Sequence, residues 1–109
     1  MGRESLGEFE HQVLLATLRL RAEAYTTSIV VELEGRAGRE VSAAAVYIAL
    51  RRLEHNGLIR SQKRETDRPG GLRERRYVAV TPRGVEMLRA SRRRFLRLWE
   101  GLEPTLERA

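Results

Sequence analysis

Residues 41–59 read VSAAAVYIALRRLEHNGLI, and this stretch decides the fold. Ser42 is a natural N-cap for a helix. Turned at 100° per residue, the helix puts Val46, Ala49, Leu50 and Leu53 on one side. Ala44, Tyr47, Ile48, Arg51 and His55 fall on the other. The first set is the core face. Asn56-Gly57 ends the pattern, with Gly57 suited to the left-handed position after the last turn. The spacing predicts a helix over 42–56. Its first turn carries only small side chains at 43–45, so its backbone can come close to a partner. Tyr47 and Arg51 then reach furthest outward.

The flanks supply the other elements. Ser5-Leu6-Gly7-Glu8 fits a capping box. Phe9, Val13, Ala16 and Leu20 follow at helical spacing, which predicts a first helix near 5–20. Leu14, Leu15 and Leu18 widen its stripe, so burial on more than one side is expected. Tyr25, Ile29 and Leu33 mark a second helix near 24–36, closed by a loop holding Gly35 and Gly38. After the central stretch, two partly alternating runs predict strands at 58–64 and 74–80. The segment between them, ETDRPGGL, reads as too long for a two-residue turn and as mobile. Thr81-Pro82 starts a further helix, with Thr as cap and Pro at its first position. Leu88, Phe95, Trp99, Leu102 and Leu106 form one stripe along it, and Gly101 and Pro104 should end or kink it.

The order is three helices, a hairpin and a last helix. The expected fold is mainly α with a small β-hairpin: a winged helix-turn-helix over 1–81 and a long C-terminal dimerisation helix over 82–109, in one compact domain overall. A chain of 109 residues supports one small core, which a partner subunit would help to complete.

The chain has no cysteine, so disulfides, thiolate metal sites and thiol catalysis are excluded. No apolar run reaches membrane-spanning length and no signal core opens the chain, so a cytoplasmic protein with no membrane partner is expected. The net charge is +6, and it is segregated. Residues 51–76 and 83–97 each carry net +5, whereas residues 1–50 and 98–109 each carry net −2. Compositional bias does not segregate charge, and a basic face suggests a polyanion.

Catalysis finds no footing. The one aspartate, Asp67, lies at the hairpin tip, His11 and His55 fall on different helices, and no nucleophile has a neighbouring base. No metal cluster and no cofactor are expected, and His55 reads as a helix-end cation or phosphate contact. In a helix-turn-helix the second helix reads base edges in the major groove, and arginine is the commonest reader of guanine. Tyr47 and Arg51 are the candidates for sequence choice. Ser42, Ala44 and Arg52 complete the helix's candidate set. The hairpin would be a wing, its Arg60, Lys63, Arg64, Arg73, Arg75 and Arg76 facing phosphate. Arg64, Arg73 and Arg75 are the candidates for general affinity to double-stranded DNA. The rival reading is a winged helix whose basic face meets an acidic protein.

The segments LGEFEHQVLLATL, AYTTSI, VSAAAVYIALRRLEHNGLI and GGLRERRYVAVTPRG together resemble the PadR family of bacterial transcriptional regulators, from about Leu6 to Leu88. Two positions depart from its pattern: Thr26 stands where the family often has Gly, and Val78 where it often has a second Tyr. The resemblance implies a winged helix-turn-helix repressor, a near-palindromic operator and a homodimer made through the C-terminal helix. Leu88, Phe95, Trp99 and Leu102 are the candidate dimerisation residues; the other reading is a helix folded back on its own core. Trp99 either packs in that interface or forms a wall for a flat aromatic effector, as ligand-sensing relatives suggest.

Overall fold

The computed structural model describes residues 6–108. Helix α1 spans Glu8–Leu20 and runs into a 3-10 turn at Arg21–Glu23. Helices α2 (Thr26–Arg36) and α3 (Ala43–His55) follow, then strands β1 (Ile59–Arg68) and β2 (Gly71–Val80). Helix α4 (Pro82–Trp99) and the short α5 (Glu103–Arg108) close the chain.

Helix α1 starts later than its sequence suggests. Gly7 is the N-cap and makes no side-chain bond, while Ser5 lies outside the described residues. Val13, Leu14, Ala16 and Thr17 are buried, and the Thr17 hydroxyl donates to the Val13 carbonyl (2.8 Å). Leu15 and Leu18 are 47% and 45% exposed, so within one chain the helix buries one side only. Helix α2 buries Ile29 and Leu33, and the Tyr25 N–H at its start donates to Ser28 Oγ (3.0 Å). Both departures from the family pattern are accommodated: Thr26 opens α2 and Val78 is buried in the core.

Helix α3 follows its pattern closely. The Ser42 hydroxyl accepts from the Ala45 N–H (3.0 Å), and Val46, Ala49, Leu50 and Leu53 are buried. Gly57, at φ 77°, makes the exit turn. Leu58, Ile59 and Val78 extend this core onto the hairpin.

The hairpin is longer and tighter than expected. Its register runs unbroken from Ile59↔Val80 to Arg68↔Gly71, leaving Pro69-Gly70 as a two-residue turn. Proline presets the first turn position, and Gly70, at φ 96°, takes the positive φ that the second requires. The strands therefore extend past the core as an unbroken antiparallel pair. The edge of β2 is pinned where the Val78 N–H donates to the Ala24 carbonyl (2.9 Å).

Helix α4 begins at the Thr81 cap, whose hydroxyl accepts from the Gly84 N–H (3.1 Å). Gly84 is buried, and a Cβ there would collide with the Leu58 carbonyl oxygen and lie 2.7 Å from Val80 Cγ1. This close approach explains the glycine of TPRG. Alanine normally favours a helix over glycine. Here Gly84→Ala is expected to destabilise the protein by about 1–3 kcal/mol, as overpacking does. Denaturant unfolding checks it, and a more stable variant would contradict the close approach.

Leu88 is the last α4 residue in the core. Beyond it the helix leaves the body, and Phe95, Leu96, Leu98 and Trp99 are 44–70% exposed. The helix stops at Trp99; Gly101, at φ 80°, turns the chain and α5 starts afresh. The molecule is elongated, 56 × 35 × 21 Å with a radius of gyration of 16.3 Å. A compact domain of this length would have about 13 Å. Among the described residues no helix is long and apolar enough to cross a membrane.

Candidate nucleic-acid interface

The outer face of α3 carries a preformed polar pair. Arg51 Nη1 donates to the Tyr47 hydroxyl (3.1 Å), and the guanidinium carbon lies 5.8 Å from the Tyr47 ring centroid. One helical turn separates the two residues, so the contact follows from their spacing. It fixes a long side chain in advance and lowers the entropy lost on binding. Ala43 and Ala44 are exposed beside the Ser42 cap, leaving the helix start open to close approach.

The wing continues this surface. Tyr47, Arg51, Glu54, His55 and Arg76 line an open cleft of about 410 Å³ between α3 and the hairpin. Arg76 Nη1 donates to Ser61 Oγ (2.9 Å), which donates to Glu54 Oε2 (2.8 Å). This chain ties the hairpin to α3 and occupies the one carboxylate lining the cleft. Lys63 pairs across the strands with Arg76 and lies 4.0 Å from Glu74. By strand alternation Ser61, Lys63 and Arg76 share the wing face that looks toward α3.

The other candidates lie elsewhere. Arg52 points toward α1, where Nη1 is 3.5 Å from Glu10 Oε2, so it stands apart from the Tyr47–Arg51 pair. Arg64 and Arg75 are on the opposite wing face. The Arg64 guanidinium stacks 3.5 Å from the Tyr77 centroid and donates to the Ala22 carbonyl (2.8 Å). The Arg75 guanidinium lies 3.9 Å from the Tyr25 centroid. Arg73 is exposed on that same face near the tip, its carbonyl accepting from Thr66 Oγ1 (3.3 Å). Arg76 was named among the wing cations but not among the candidates for general affinity, which were Arg64, Arg73 and Arg75. Its parity with buried Val78 is the signal that could have found it, because residues two apart on a strand share a face.

Along the C-terminal segment, Phe95, Trp99 and Leu102 are exposed, whereas Leu88 is 7% exposed within its own core. Leu88 thus serves the protomer rather than a free dimerisation face. His11 is half-buried on α1, where desolvation lowers its pKa, and lies outside the cleft. Among the described residues no group of three or more metal-ligating side chains converges.

Comparison with known proteins agrees with this architecture. The family model described as the transcriptional regulator PadR-like family matches residues 14–90. A PadR family transcriptional regulator from Eggerthella lenta is similar in structure, with a TM-score of 0.64 and 29% identity over 87% of this chain and 80% of that one. A PadR family regulator from Clostridium difficile gives a TM-score of 0.67 at 21% identity, over 88% of this chain and 97% of that one. Bacillus subtilis PadR in complex with operator DNA gives 0.64 at 15% identity, over 75% of this chain and 45% of that one; at such identities the likeness is one of fold. No curated protein matches the chain.

Proposed function

The chain belongs to the transcriptional regulator PadR-like family, and from that premise we propose that it is a repressor that binds a near-palindromic operator as a homodimer. The observation that carries this reading is the Arg51–Tyr47 pair on the outer face of a capped helix, next to a basic wing. In this reading the unit over 1–81 reads DNA and the segment over 82–109 joins two copies. Arg51 and Tyr47 make the base contacts, the Ser42–Ala44 turn gives the backbone access, and Arg76 and Lys63 meet phosphate beside them. Arg73 contacts phosphate near the wing tip. Action on chromosomal DNA goes with the cytoplasm expected from the sequence. Members of this family are transcription regulators.

Two features support the dimer. The chain exposes 7957 Å², against about 6,200 Å² for a compact monomer of this mass. Much of the apolar part of that surface lies on the projecting segment and on α1. A groove of about 420 Å³ between α1 and α2 is lined by Leu15, Leu18 and Leu33 and rimmed by Arg19, Glu32 and Arg36. It offers an apolar seat for the Phe95, Trp99 and Leu102 side of a partner's helix. Two-fold symmetry then sets the recognition helices about 34–36 Å apart, one DNA turn.

Trp99 at such an interface could also bound a site for a flat aromatic effector. A ligand there releases DNA only by favouring a dimer with different helix spacing. One titration tests both levels. Binding of a labelled duplex, followed by anisotropy, should weaken about 10³-fold or more between 50 and 200 mM salt, as expected for six or more phosphate contacts. Salt-independent binding contradicts the DNA reading. A planar aromatic should quench Trp99 and weaken duplex binding together; quenching with unchanged affinity leaves Trp99 a packing residue.

A further inference from the structure

The outer face of the wing bears two arginines directly opposite one another, Arg64↔Arg75. Like charges at such a pair repel and loosen a hairpin. Neither has a carboxylate within ion-pair distance among the described residues. Both are instead held by aromatic rings. Arg64 stacks on Tyr77 at 3.5 Å, and Arg75 lies over Tyr25 at 3.9 Å. The two rings meet edge to face, with centroids 5.4 Å apart. Arg75 Nη1 donates to the Tyr77 hydroxyl (3.4 Å), and Arg64 Nη2 reaches the Ala22 carbonyl (2.8 Å). The order is guanidinium, ring, ring, guanidinium, and it joins both wing strands to the segment between α1 and α2.

We infer that Arg64, Tyr77, Tyr25 and Arg75 form a stacked ladder that fixes the angle of the wing to the recognition helix, which makes Tyr77 a positioning residue for DNA binding. A two-stranded hairpin is marginal by itself and needs packing against something else. Beyond Val78 the strands have no core beneath them, so their direction must be set by other contacts. The inner face has the Arg76–Ser61–Glu54 chain. The ladder is its counterpart on the outer face and bears against the backbone at Ala22. Arg64 and Arg75 therefore hold the wing instead of serving as free phosphate contacts. The inference rests on the DNA reading for its consequence and on the free protein for its geometry.

Hydrogen exchange without DNA tests the geometry, because a purely phosphate-binding arginine has no role there. The probe is the Val78 amide, bonded to the Ala24 carbonyl where the wing meets the body. Arg64→Ala, Arg75→Ala and Tyr77→Leu should each speed its exchange about tenfold, the scale of losing one or two cation–π contacts. Tyr77→Phe, which keeps the ring, should retain most of the protection. Lys63→Ala removes the same charge from the opposite face and, without DNA, should leave the Val78 exchange unchanged. Unchanged exchange in both arginine variants, or equal loss in Lys63→Ala, overturns the ladder. In the second arm, a duplex enriched by the wild type from a random pool is titrated with each variant. Tyr77→Leu removes no charge, yet should weaken binding about tenfold at an unchanged fold; unaltered affinity overturns the positioning role. If the wild type binds no duplex at all, the DNA reading fails while the exchange result still decides the ladder.

Discussion

Deleting residues 95–109 should leave a folded monomer that has lost operator binding. The core makes this a clean experiment. Leu88 is the last α4 side chain in the core cluster, and every residue from Phe95 to Arg108 is exposed. The truncated chain therefore keeps its packing and its α3 face. What it loses is the second recognition helix. Joining two half-site binders makes the second contact intramolecular, which is worth about 10²–10⁴-fold in affinity. The truncation should forfeit that factor and sediment as a monomer. Phe95→Glu with Trp99→Glu should do the same without shortening the chain, since a charge buried in an apolar interface is costly. A truncated protein that stays dimeric by light scattering contradicts the assignment of the interface.

Arg51→Ala should cost about 1–3 kcal/mol on the operator and relax the preference at one base position, as loss of a base-reading arginine does. Random duplexes should lose far less. The structure adds a graded control. Tyr47→Phe keeps the ring but removes the hydroxyl that receives Arg51 Nη1, so Arg51 loses its fixed rotamer. Its effect should fall in the same direction and be smaller, on the scale of one hydrogen bond, about 1 kcal/mol. Arg52→Ala should leave sequence choice intact, because Arg52 is directed at Glu10 on α1. Competition between selected and shuffled duplexes measures all three. Equal loss of both duplexes in Arg51→Ala would remove it from base reading.

The recognition helix was legible because its signals are local. Ser42 caps it, Gly57 ends it, and the buried set at 46, 49, 50 and 53 follows from periodicity alone. The wing was legible as a hairpin but not in its length. Past Ile59 and Val78 the strands leave the apolar core, so alternation carries no core signal there. The backbone hydrogen bonds carry the pairing on to the Pro69-Gly70 turn. The division of the wing arginines was hidden for a different reason. Tyr25 is far from Arg75 in sequence, and only the fold brings them together. Strand parity does separate Arg75 from Arg76, but it needs Val78 as an anchor whose burial had first to be known. Leu15 and Leu18 mark the remaining gap: their apolar character is plain in the sequence, but periodicity alone does not tell that both stay exposed in one chain.

The central claim is that two copies of α3, each led by Tyr47 and Arg51, read one symmetric site. Selecting bound duplexes from a random pool with the full-length protein tests it most directly. The account predicts a motif with two-fold symmetry, half-sites centred about 10 base pairs apart, and a strongly preferred base in each half that Arg51→Ala relaxes. An enriched pool with no shared motif, or a single unpaired half-site, would contradict it.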